Sequence, residues 1–246
     1  MRQYGLIGNT LSHSFSQKHF INKFEKENIK DCSYNLFELK DIHQFPKFLS
    51  THKNLNGLNV TIPYKESVID FLTDIDENAK AIGAVNTLKF SENQNHIKGY
   101  NTDYYGFKKS LKPFLDIYHD RALIFGTGGA AKTVKHVLSE LNIDCILVSR
   151  NPMNENEIAY SDLNKHVIKH HHLIINTTPI GMFPNSQKSP EFDYNLLTAK
   201  HFLYDLIYNP EETLFLKKAE EKGCITLNGL EMLKLQAEKS WEIWNT

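Results

Sequence analysis

Short apolar runs alternate along the chain with segments whose apolar residues recur at helical spacing. In the first hundred residues the apolar runs predict strands at 4–8, 34–39, 57–60, 84–90 and 97–100. The intervening segments predict helices at 15–24, 45–49 and 66–72. This order of strands and helices predicts an α/β fold with a largely parallel sheet.

The same alternation begins again near residue 121. Residues 121–141 combine an apolar strand, a glycine turn and a helix, and further strand-like runs follow at 145–150, 172–181, 201–208 and 224–229. Amphipathic helices are predicted at 211–223 and 230–244, and polar surface loops at 151–161 and 185–190. We therefore expect two sheets in two domains, with a small-molecule site associated with them.

The composition of the chain limits the classes of partner that it is expected to bind. The chain has 246 residues, and its 28 Lys and Arg against 29 Asp and Glu give a net charge of -1. Because neither a basic excess nor a basic stripe is present, we expect no nucleic acid and no membrane among the partners. No run approaches the ~20 apolar residues of a spanning helix, and the N-terminus lacks the apolar stretch of a signal peptide. Cys32, Cys145 and Cys224 are far apart and odd in number, which fits a reducing, cytoplasmic compartment.

The glycine turn of the second half has the pattern of a dinucleotide site. In the sequence FGTGGAA, Gly126, Gly128 and Ala131 fit G-x-G-x-x-G/A between an apolar strand and an amphipathic helix. A pyrophosphate would bind at the positive N-terminal end of that helix. The alternative is a plain strand-to-helix turn.

The end of the next strand indicates which dinucleotide is expected. NAD sites place an Asp or Glu there for the ribose 2′-OH, whereas this chain has Ser149 and Arg150 with no acid before Glu155. An arginine can hold a 2′-phosphate with both arms of its guanidinium. The pattern favours NADP, and an ordinary surface arginine is the alternative.

Small polar residues follow several predicted strands of the first half. They are Ser12, Ser14, Ser16, Asn59, Thr61, Lys65, Asn86, Thr87, Asn101, Thr102 and Asp103. Hydroxyls, amides, one lysine and one aspartate suit a polyhydroxylated carboxylate. No carboxylate cluster and no histidine with partner ligands at useful spacing suggests a metal, so we expect none, and we interpret the tract His170-His171-His172 as a solvated loop.

Oxidation of an alcohol by a nicotinamide also needs a base for the hydroxyl proton. A lysine amine can take this role when burial favours its neutral form, and a neighbouring aspartate would orient it. Lys65 and Asp103 are the candidate pair, although a lysine that simply opens a helix at the surface is the alternative for Lys65 alone. We interpret His13 as structural.

The motifs together resemble the shikimate dehydrogenase family along almost the whole chain. The matching segments, in order, are GNTLSHSFS, GLNVTIPYK, GAVNT, GYNTDYYG, GTGGAA, VSRN, INTTPIGM, DLIYNPEETLFL and NGLEMLKLQA. Members of that family reduce 3-dehydroshikimate to shikimate with NADPH, a step toward chorismate and the aromatic amino acids. They combine a substrate domain with a Rossmann domain.

The resemblance implies roles for individual residues. It makes Lys65 the proton donor and acceptor with Asp103 beside it. The substrate ligands that it implies are Ser14, Ser16 and Tyr208 for the carboxylate, and Thr61, Asn86, Asp103 and Gln236 for the ring hydroxyls. The NADP ligands that it implies are Gly126, Thr127, Gly128, Gly129, Ala130, Ser149 and Arg150, with Glu77, Leu206 and Gly229 near the nicotinamide.

The same resemblance predicts the domains. Residues 1–103 and 230–246 form the substrate and catalytic domain, 104–229 form a Rossmann-like NADP domain, and the last helix packs back on the first domain. The assembly is expected to be a monomer or a homodimer. The chain departs from the family pattern at Thr10 and Gln17, where proline is usual, and after Arg150, where a second basic residue is usual.

Three alternatives stay open at this stage. A quinate/shikimate dehydrogenase using NAD or NADP would differ in the space near Thr61 and Tyr208. A non-catalytic homologue that binds shikimate or a dinucleotide would be favoured by the loss of Lys65 or Asp103, and both are present. A methylenetetrahydrofolate dehydrogenase-like enzyme fits poorly, because the serines of SHSFS do not suit a pterin.

Overall fold

The computed structural model describes residues 1–11 and 14–246. Ser12 and His13, two residues that the sequence singles out, lie outside this described part. The chain divides into two compact units. Unit 1 comprises Met1–Tyr105 and Lys234–Thr246, and unit 2 comprises Gly106–Leu233.

Unit 1 is built on a six-stranded mixed sheet. Its elements are β1 (Arg2–Gly8), α1 (Phe15–Lys26), β2 (Cys32–Glu38), α2 (Phe45–Thr51), β3 (Leu55–Val60), β4 (Asp74–Ile75), α3 (Glu77–Ile82), β5 (Thr87–Phe90) and β6 (Ile97–Tyr100). The strand order is β2-β1-β3-β5-β6-β4. Strand β1 is parallel to β2 and β3, with α1 and α2 as crossovers, whereas β5 is antiparallel to both β3 and β6.

Helix α4 (Thr102–Leu111) leads into unit 2, whose six strands are all parallel. The following elements are β7 (Arg121–Phe125), α5 (Gly129–Glu140), β8 (Asp144–Ser149), β9 (Glu157–Ala159), α6 (Lys165–His170), β10 (Leu173–Asn176), β11 (Phe202–Asp205), α7 (Leu214–Glu220), β12 (Ile225–Leu227) and α8 (Leu230–Asn245). The order β12-β11-β10-β7-β8-β9 is that of a Rossmann sheet. The central strands are continuous apolar runs because helices cover both faces of such a sheet.

The predicted α/β class is confirmed, and so is the return of the last helix to the first unit. The indole Nε1 of Trp244, near the end of α8, donates to the Leu88 carbonyl of β5 at 2.9 Å. The Trp244 ring also stacks on Tyr4 of β1, with the ring centroids 4.8 Å apart. Aromatic burial of this kind anchors α8 on the sheet of unit 1.

Three local predictions were wrong. The helix expected at 66–72 is a short 3-10 helix, Ser67–Phe71, because five residues between a proline turn and β4 are too few for a stable α-helix. The loop expected at 151–161 contains β9. The Glu157 carboxylate accepts hydrogen bonds from the Met153 N–H and the Asn154 side-chain amide, and these bonds close the turn that leads into the strand.

The histidine tract is the third correction. His170 ends α6, and His171 is buried and donates from Nδ1 to the Val167 carbonyl at 2.7 Å. The tract is therefore not a solvated loop. No helix of the described residues is long and apolar enough to cross a membrane.

Candidate active site

Lys65 and Asp103 form a close ion pair in unit 1. The Lys65 Nζ donates to the Asp103 Oδ2 at 2.6 Å. The two side chains keep 24% and 14% of their surface exposed, so the pair is partly desolvated and still open to a ligand. A lysine held in this way can pass a proton to a bound oxygen while the aspartate stabilises its charge.

Both members of the pair are fixed to the short segment before β5. The Lys65 carbonyl accepts the Val85 N–H at 2.7 Å. Asp103 lies in the first turn of α4, where the Asn101 Oδ1 accepts the Tyr104 N–H at 3.0 Å. The Asn101 Nδ2 in turn donates to the Ala84 carbonyl at 3.0 Å. The backbone around Lys65 and the start of α4 therefore share one support.

Two amide side chains lie next to this segment. Asn86 and Gln236 are buried, and the Asn86 Nδ2 donates to the Gln236 Oε1 at 3.5 Å. The Asn86 Oδ1 accepts the backbone N–H of Thr102, the residue before Asp103, at 2.7 Å. The structure thus brings Asn86 and Gln236 together and joins Asn86 to the start of α4.

The predicted carboxylate ligands lie at the N-terminus of α1. Ser14 is the N-cap residue, and its Oγ is buried without a hydrogen-bond partner in the described part of the chain. Ser16, in the first turn, interacts through its hydroxyl with the buried Tyr34 phenol. A buried hydroxyl with no protein partner is a suitable donor to an anionic group at the positive end of a helix.

Thr61 directly follows β3, and its N–H donates to the Ile7 carbonyl at 2.9 Å. Glu77 is exposed at the first position of α3. Among the described residues, no hydrogen bond or ion pair joins Glu77 to the Lys65–Asp103 pair, and its place beside a nicotinamide stays a prediction.

The glycine turn of unit 2 has the geometry that its motif requires. Gly126 has φ of 106°, and a Cβ there would lie 2.8 Å from the Thr177 Oγ1, so only glycine fits. Gly128 is the N-cap of α5, and a Cβ there would meet nothing within 4 Å. Ala131 is fully buried. Open space in front of a helix N-terminus suits a pyrophosphate.

Residues Ser149 and Arg150 lie at the carboxyl end of β8, beside the glycine turn. The Gly126 N–H donates to the Val148 carbonyl at 3.0 Å, which ties the turn to this strand end. The Ser149 Oγ accepts the Asn151 N–H at 3.2 Å, and Arg150 is exposed. Burial raises the pKa of Tyr160, and the nearby positive charge of Arg150 works against that rise.

Leu206 and Gly229 also meet in unit 2. The Leu206 N–H donates to the Asn176 carbonyl, and the Gly229 N–H donates to the Ile207 carbonyl, both at 3.0 Å. A Cβ on Gly229 would lie 2.0 Å from the Leu206 oxygen, so the close approach requires glycine. Tyr208, two residues after Leu206, is half-buried.

The predicted site residues are therefore divided between the units. The substrate and catalytic candidates lie in unit 1 except for Tyr208, and the NADP candidates lie in unit 2 except for Glu77. Their roles stay predictions. Sequence reasoning missed Ser240, which is fully buried and accepts from the Asn59 Nδ2 at 2.9 Å. Its spacing of four residues from Gln236 on α8 places the two on the same face of that helix.

Within residues 1–11 and 14–246 there is no group of three or more His, Cys, Asp or Glu side chains that could hold a metal ion. The absence of a metal from the reaction stays a prediction.

Comparison with known proteins assigns the chain to a family. Residues 6–88 match the family model described as the shikimate dehydrogenase substrate binding domain. A shikimate dehydrogenase (NADP(+)) of Clostridium perfringens is 40% identical, and the alignment covers 100% of this chain and 93% of that relative.

Solved structures give the same result. The chorismate mutase/shikimate 5-dehydrogenase fusion protein of Clostridium acetobutylicum superposes with a TM-score of 0.89 at 43% identity, covering 100% of this chain and 91% of the other. A shikimate 5-dehydrogenase of Thermus thermophilus, in complex with NADP(H) and shikimate, gives 0.86 at 27% identity, covering 99% and 93%. With full-length identity at this level and the same two-sheet architecture, the chain belongs to the shikimate dehydrogenase family.

Proposed function

We propose that this protein is an NADP-dependent shikimate dehydrogenase, which reversibly reduces 3-dehydroshikimate to shikimate on the route to chorismate and the aromatic amino acids. The observation that carries the proposal is the ion pair of Lys65 and Asp103 at 2.6 Å, partly exposed, in a chain that is 40% identical to an NADP-dependent relative over its whole length. A homologue that only bound its ligand would have no need of this pair.

In the reductive direction Lys65 donates a proton from Nζ to the oxygen on C3 of the substrate, and in the oxidative direction it takes that proton back. Asp103 holds the amine in place at 2.6 Å and stabilises its positive charge. When NADP(H) is bound, its nicotinamide supplies or accepts the hydride.

The substrate is held by neutral donors and acceptors of unit 1. Ser14 and Ser16 bind the carboxylate at the N-terminus of α1, helped by Tyr208 of unit 2. The ring hydroxyls are bound by Thr61, Asn86, Asp103 and Gln236. Support comes from the buried Ser14 Oγ, which has no partner among the described residues, and from the adjacent amides of Asn86 and Gln236.

The dinucleotide fits the turn of unit 2. Gly126, Thr127, Gly128, Gly129 and Ala130 hold the pyrophosphate, which the positive φ of Gly126 and the open space at Gly128 support. Ser149 and Arg150 bind the 2′-phosphate, and the exposure of Arg150 leaves its guanidinium accessible. Leu206, Gly229 and Glu77 approach the nicotinamide.

Four initial rates test the proposal. The purified protein is assayed by absorbance for production of the reduced nucleotide from shikimate or quinate, each with NADP or NAD. We expect shikimate with NADP to be fastest. Comparable rates with quinate would identify a quinate/shikimate dehydrogenase, and no turnover in any combination would leave a binding homologue.

The protein is proposed to act in the cytoplasm as a monomer or homodimer, which cell fractionation and analytical ultracentrifugation would test.

A further inference from the structure

Three hydroxyl groups form a closed triangle beneath the proposed substrate site of unit 1. Thr87 Oγ1 lies 2.8 Å from Ser240 Oγ and 3.1 Å from Thr102 Oγ1, and the third side, from Thr102 to Ser240, is 3.1 Å. Thr87 and Ser240 are fully buried, and Thr102 is 1% exposed. We call these three side chains the hydroxyl triangle.

The hydroxyl triangle is part of a larger hydrogen-bond network that also includes Tyr34, Asn59, Asn86 and Gln236. At the Tyr34 end, the direction of the hydrogen bonds is fixed. The phenol of Tyr34 donates to the Asn59 Oδ1 at 2.8 Å. Because this oxygen is engaged, the Asn59 Nδ2 faces the triangle and donates to Ser240 Oγ at 2.9 Å and to Thr87 Oγ1 at 3.1 Å. These two hydroxyls accept from Asn59 and must direct their own protons elsewhere.

The other end of the network is the pair of amides assigned to the substrate. Ser240 Oγ donates to the backbone carbonyl of Gln236, one turn earlier in α8, at 2.9 Å. Thr87 and Thr102 Oγ1 lie 3.3 and 3.2 Å from the Asn86 Oδ1. Thr102 Oγ1 also lies 3.4 Å from the Gln236 Oε1. Outside the triangle, the acceptors in reach of the three hydroxyl protons are therefore the Asn86 Oδ1, the Gln236 Oε1 and the backbone carbonyl of Gln236.

This arrangement allows only one orientation of the Asn86 amide. Its Oδ1 accepts the Thr102 N–H and lies against two hydroxyls, so a flipped amide would set the Nδ2 donor against the Thr102 N–H donor. A buried donor facing a donor costs the full desolvation of both groups. The network therefore directs the Asn86 Nδ2 toward Gln236 and keeps it there.

We propose that Thr87 and Ser240 are positioning residues for the recognition of the substrate ring hydroxyls. Thr87 acts through its contact with the Asn86 amide, and Ser240 acts by holding the α8 backbone at Gln236 and the hydroxyls of Thr87 and Thr102. The proposal rests on the proposed function, because it assigns a purpose to amides that only a hydroxylated substrate would use. A hydroxyl triangle needed for packing alone would not have to end on these two side chains. Apolar residues of the same shape would fill its space with no polar group to satisfy.

The test compares shikimate and NADP kinetics of matched variants. Ser240→Ala and Thr87→Val remove one hydroxyl each, and Thr87→Ser keeps it. Ser110→Ala is the control, since Ser110 of α4 is also a buried helical serine that donates to the carbonyl four residues before it, Gly106, and contacts a tyrosine hydroxyl, Tyr204. All four variants are measured for kcat, both Michaelis constants and the melting temperature.

We expect Ser240→Ala and Thr87→Val to raise KM for shikimate roughly tenfold, about the loss of one or two oriented hydrogen bonds, with KM for NADP unchanged. Thr87→Ser should restore the wild-type KM. Ser110→Ala should lower the melting temperature about as much as Ser240→Ala and leave KM for shikimate unchanged. If Ser240→Ala does not fold, the two Thr87 variants decide.

Two results would overturn the inference alone. In one, wild-type enzyme turns over shikimate and KM stays within about twofold in both hydroxyl-free variants. In the other, Ser110→Ala raises KM as much as Ser240→Ala, which would make the effect one of general stability. Absence of wild-type turnover with shikimate is a different failure, because it would remove the proposed function and the inference with it.

Discussion

The two units bury their polar groups in different ways. In unit 1 the deepest polar side chains, including Asn59, Thr87 and Ser240, are amides and hydroxyls that carry no charge, and the Lys65–Asp103 pair stays partly exposed. In unit 2 a carboxyl group, Asp205, is fully buried. Three histidine rings of unit 2, those of His119, His171 and His201, are also less than a tenth exposed.

The buried carboxyl group of unit 2 accepts hydrogen bonds from three separate segments of the chain and so holds them together. Asp205 ends β11 and accepts from the Thr213 Oγ1 at 2.6 Å, the Asn176 Nδ2 at 3.0 Å and the Ile207 N–H at 3.1 Å. Burial raises its pKa to about 6, and the three donors only partly offset that rise. Its partners are the end of β10, the start of α7 and the chain beyond β11, so Asp205 joins three connections on one edge of the sheet.

Asp205 shows that a perturbed pKa in this fold can arise where the protein's own donors occupy the carboxylate. Perturbed titration is a common sign of an active site, yet the oxygens of Asp205 are engaged by the protein's own donors. The better guide is a polar group that is ordered and still open to a ligand, as Lys65 and Asp103 are. If that distinction is right, unit 1 changes should alter catalysis and unit 2 interior changes should alter stability.

The largest effect should follow Asp103→Ala. Loss of the partner at 2.6 Å leaves Lys65 without its orienting carboxylate, and we expect kcat/KM for shikimate to fall about 10³-fold. The melting temperature should change little, because the pair is partly exposed. Steady-state kinetics and thermal unfolding measure the two quantities.

Asp74→Ala is the matched control, since Asp74 pairs with Lys98 at 2.8 Å on the surface of the same unit. Wild-type kinetics for Asp103→Ala, or an equal loss in Asp74→Ala, would show that the Lys65 pair has no special place in the reaction.

The second effect concerns stability. Asp205→Ala removes the acceptor of three buried donors, and we expect the free energy of unfolding to fall by about 3 kcal/mol in urea titrations. Asp205→Asn keeps one acceptor oxygen and should cost less. A loss below about 1 kcal/mol for the alanine variant would mean that water or relaxed backbone replaces the carboxylate.

The third effect is a loss of stability in mild acid. Burial lowers the pKa of His119, His171 and His201, and the Nδ1 atoms of His119 and His201 accept backbone N–H groups and so must stay unprotonated. The unfolded chain takes up protons below about pH 6.5 while these folded rings do not, so stability is complete above that pH and falls as the pH drops.

Asp205 acts in the opposite sense, because a raised pKa gives stability below the unfolded value of 3.8 that is lost as the pH rises through about 6. Three rings outweigh one carboxyl, and we expect the free energy of unfolding, measured in urea, to be lower at about pH 5.5 than at about pH 7.5. His201→Gln should reduce this difference. An unchanged or higher stability in acid would contradict the assignment of neutral rings.

The smallest effect should follow Arg150→Ala. Loss of an exposed guanidinium from the 2′-phosphate should raise KM for NADP about tenfold and leave KM for NAD unchanged. Arg121→Ala, an exposed arginine at the start of β7, is the control. If KM for NADP does not move, other groups hold the phosphate.

Much of the fold could be predicted because its strands are apolar runs that need no knowledge of their neighbours. The strands β7, β10 and β11 are buried on both faces and are visible in the sequence for that reason. Strand β9 could not be predicted, since its three residues are polar or half-buried and are set by the turn that Glu157 closes.

The Lys65–Asp103 ion pair and the glycine turn could be predicted because each combines a distinctive residue with a distinctive place after a strand. The hydroxyl triangle could not. Thr87 and Ser240 are 153 positions apart and meet only through the packing of α8 on unit 1. Tyr34 lies in an apolar strand, where an aromatic residue predicts core packing and gives no sign of the hydrogen bond to Asn59.

The most direct test of the account is the turnover of Lys65→Ala with saturating shikimate and NADP, measured beside Lys98→Ala, which removes a surface lysine that also pairs with an aspartate. We expect kcat to fall about 10³-fold for Lys65→Ala, with a modest change in KM for shikimate, and to stay at the wild-type value for Lys98→Ala. Near wild-type kcat in Lys65→Ala would contradict the account, because the proton would then be carried by another group.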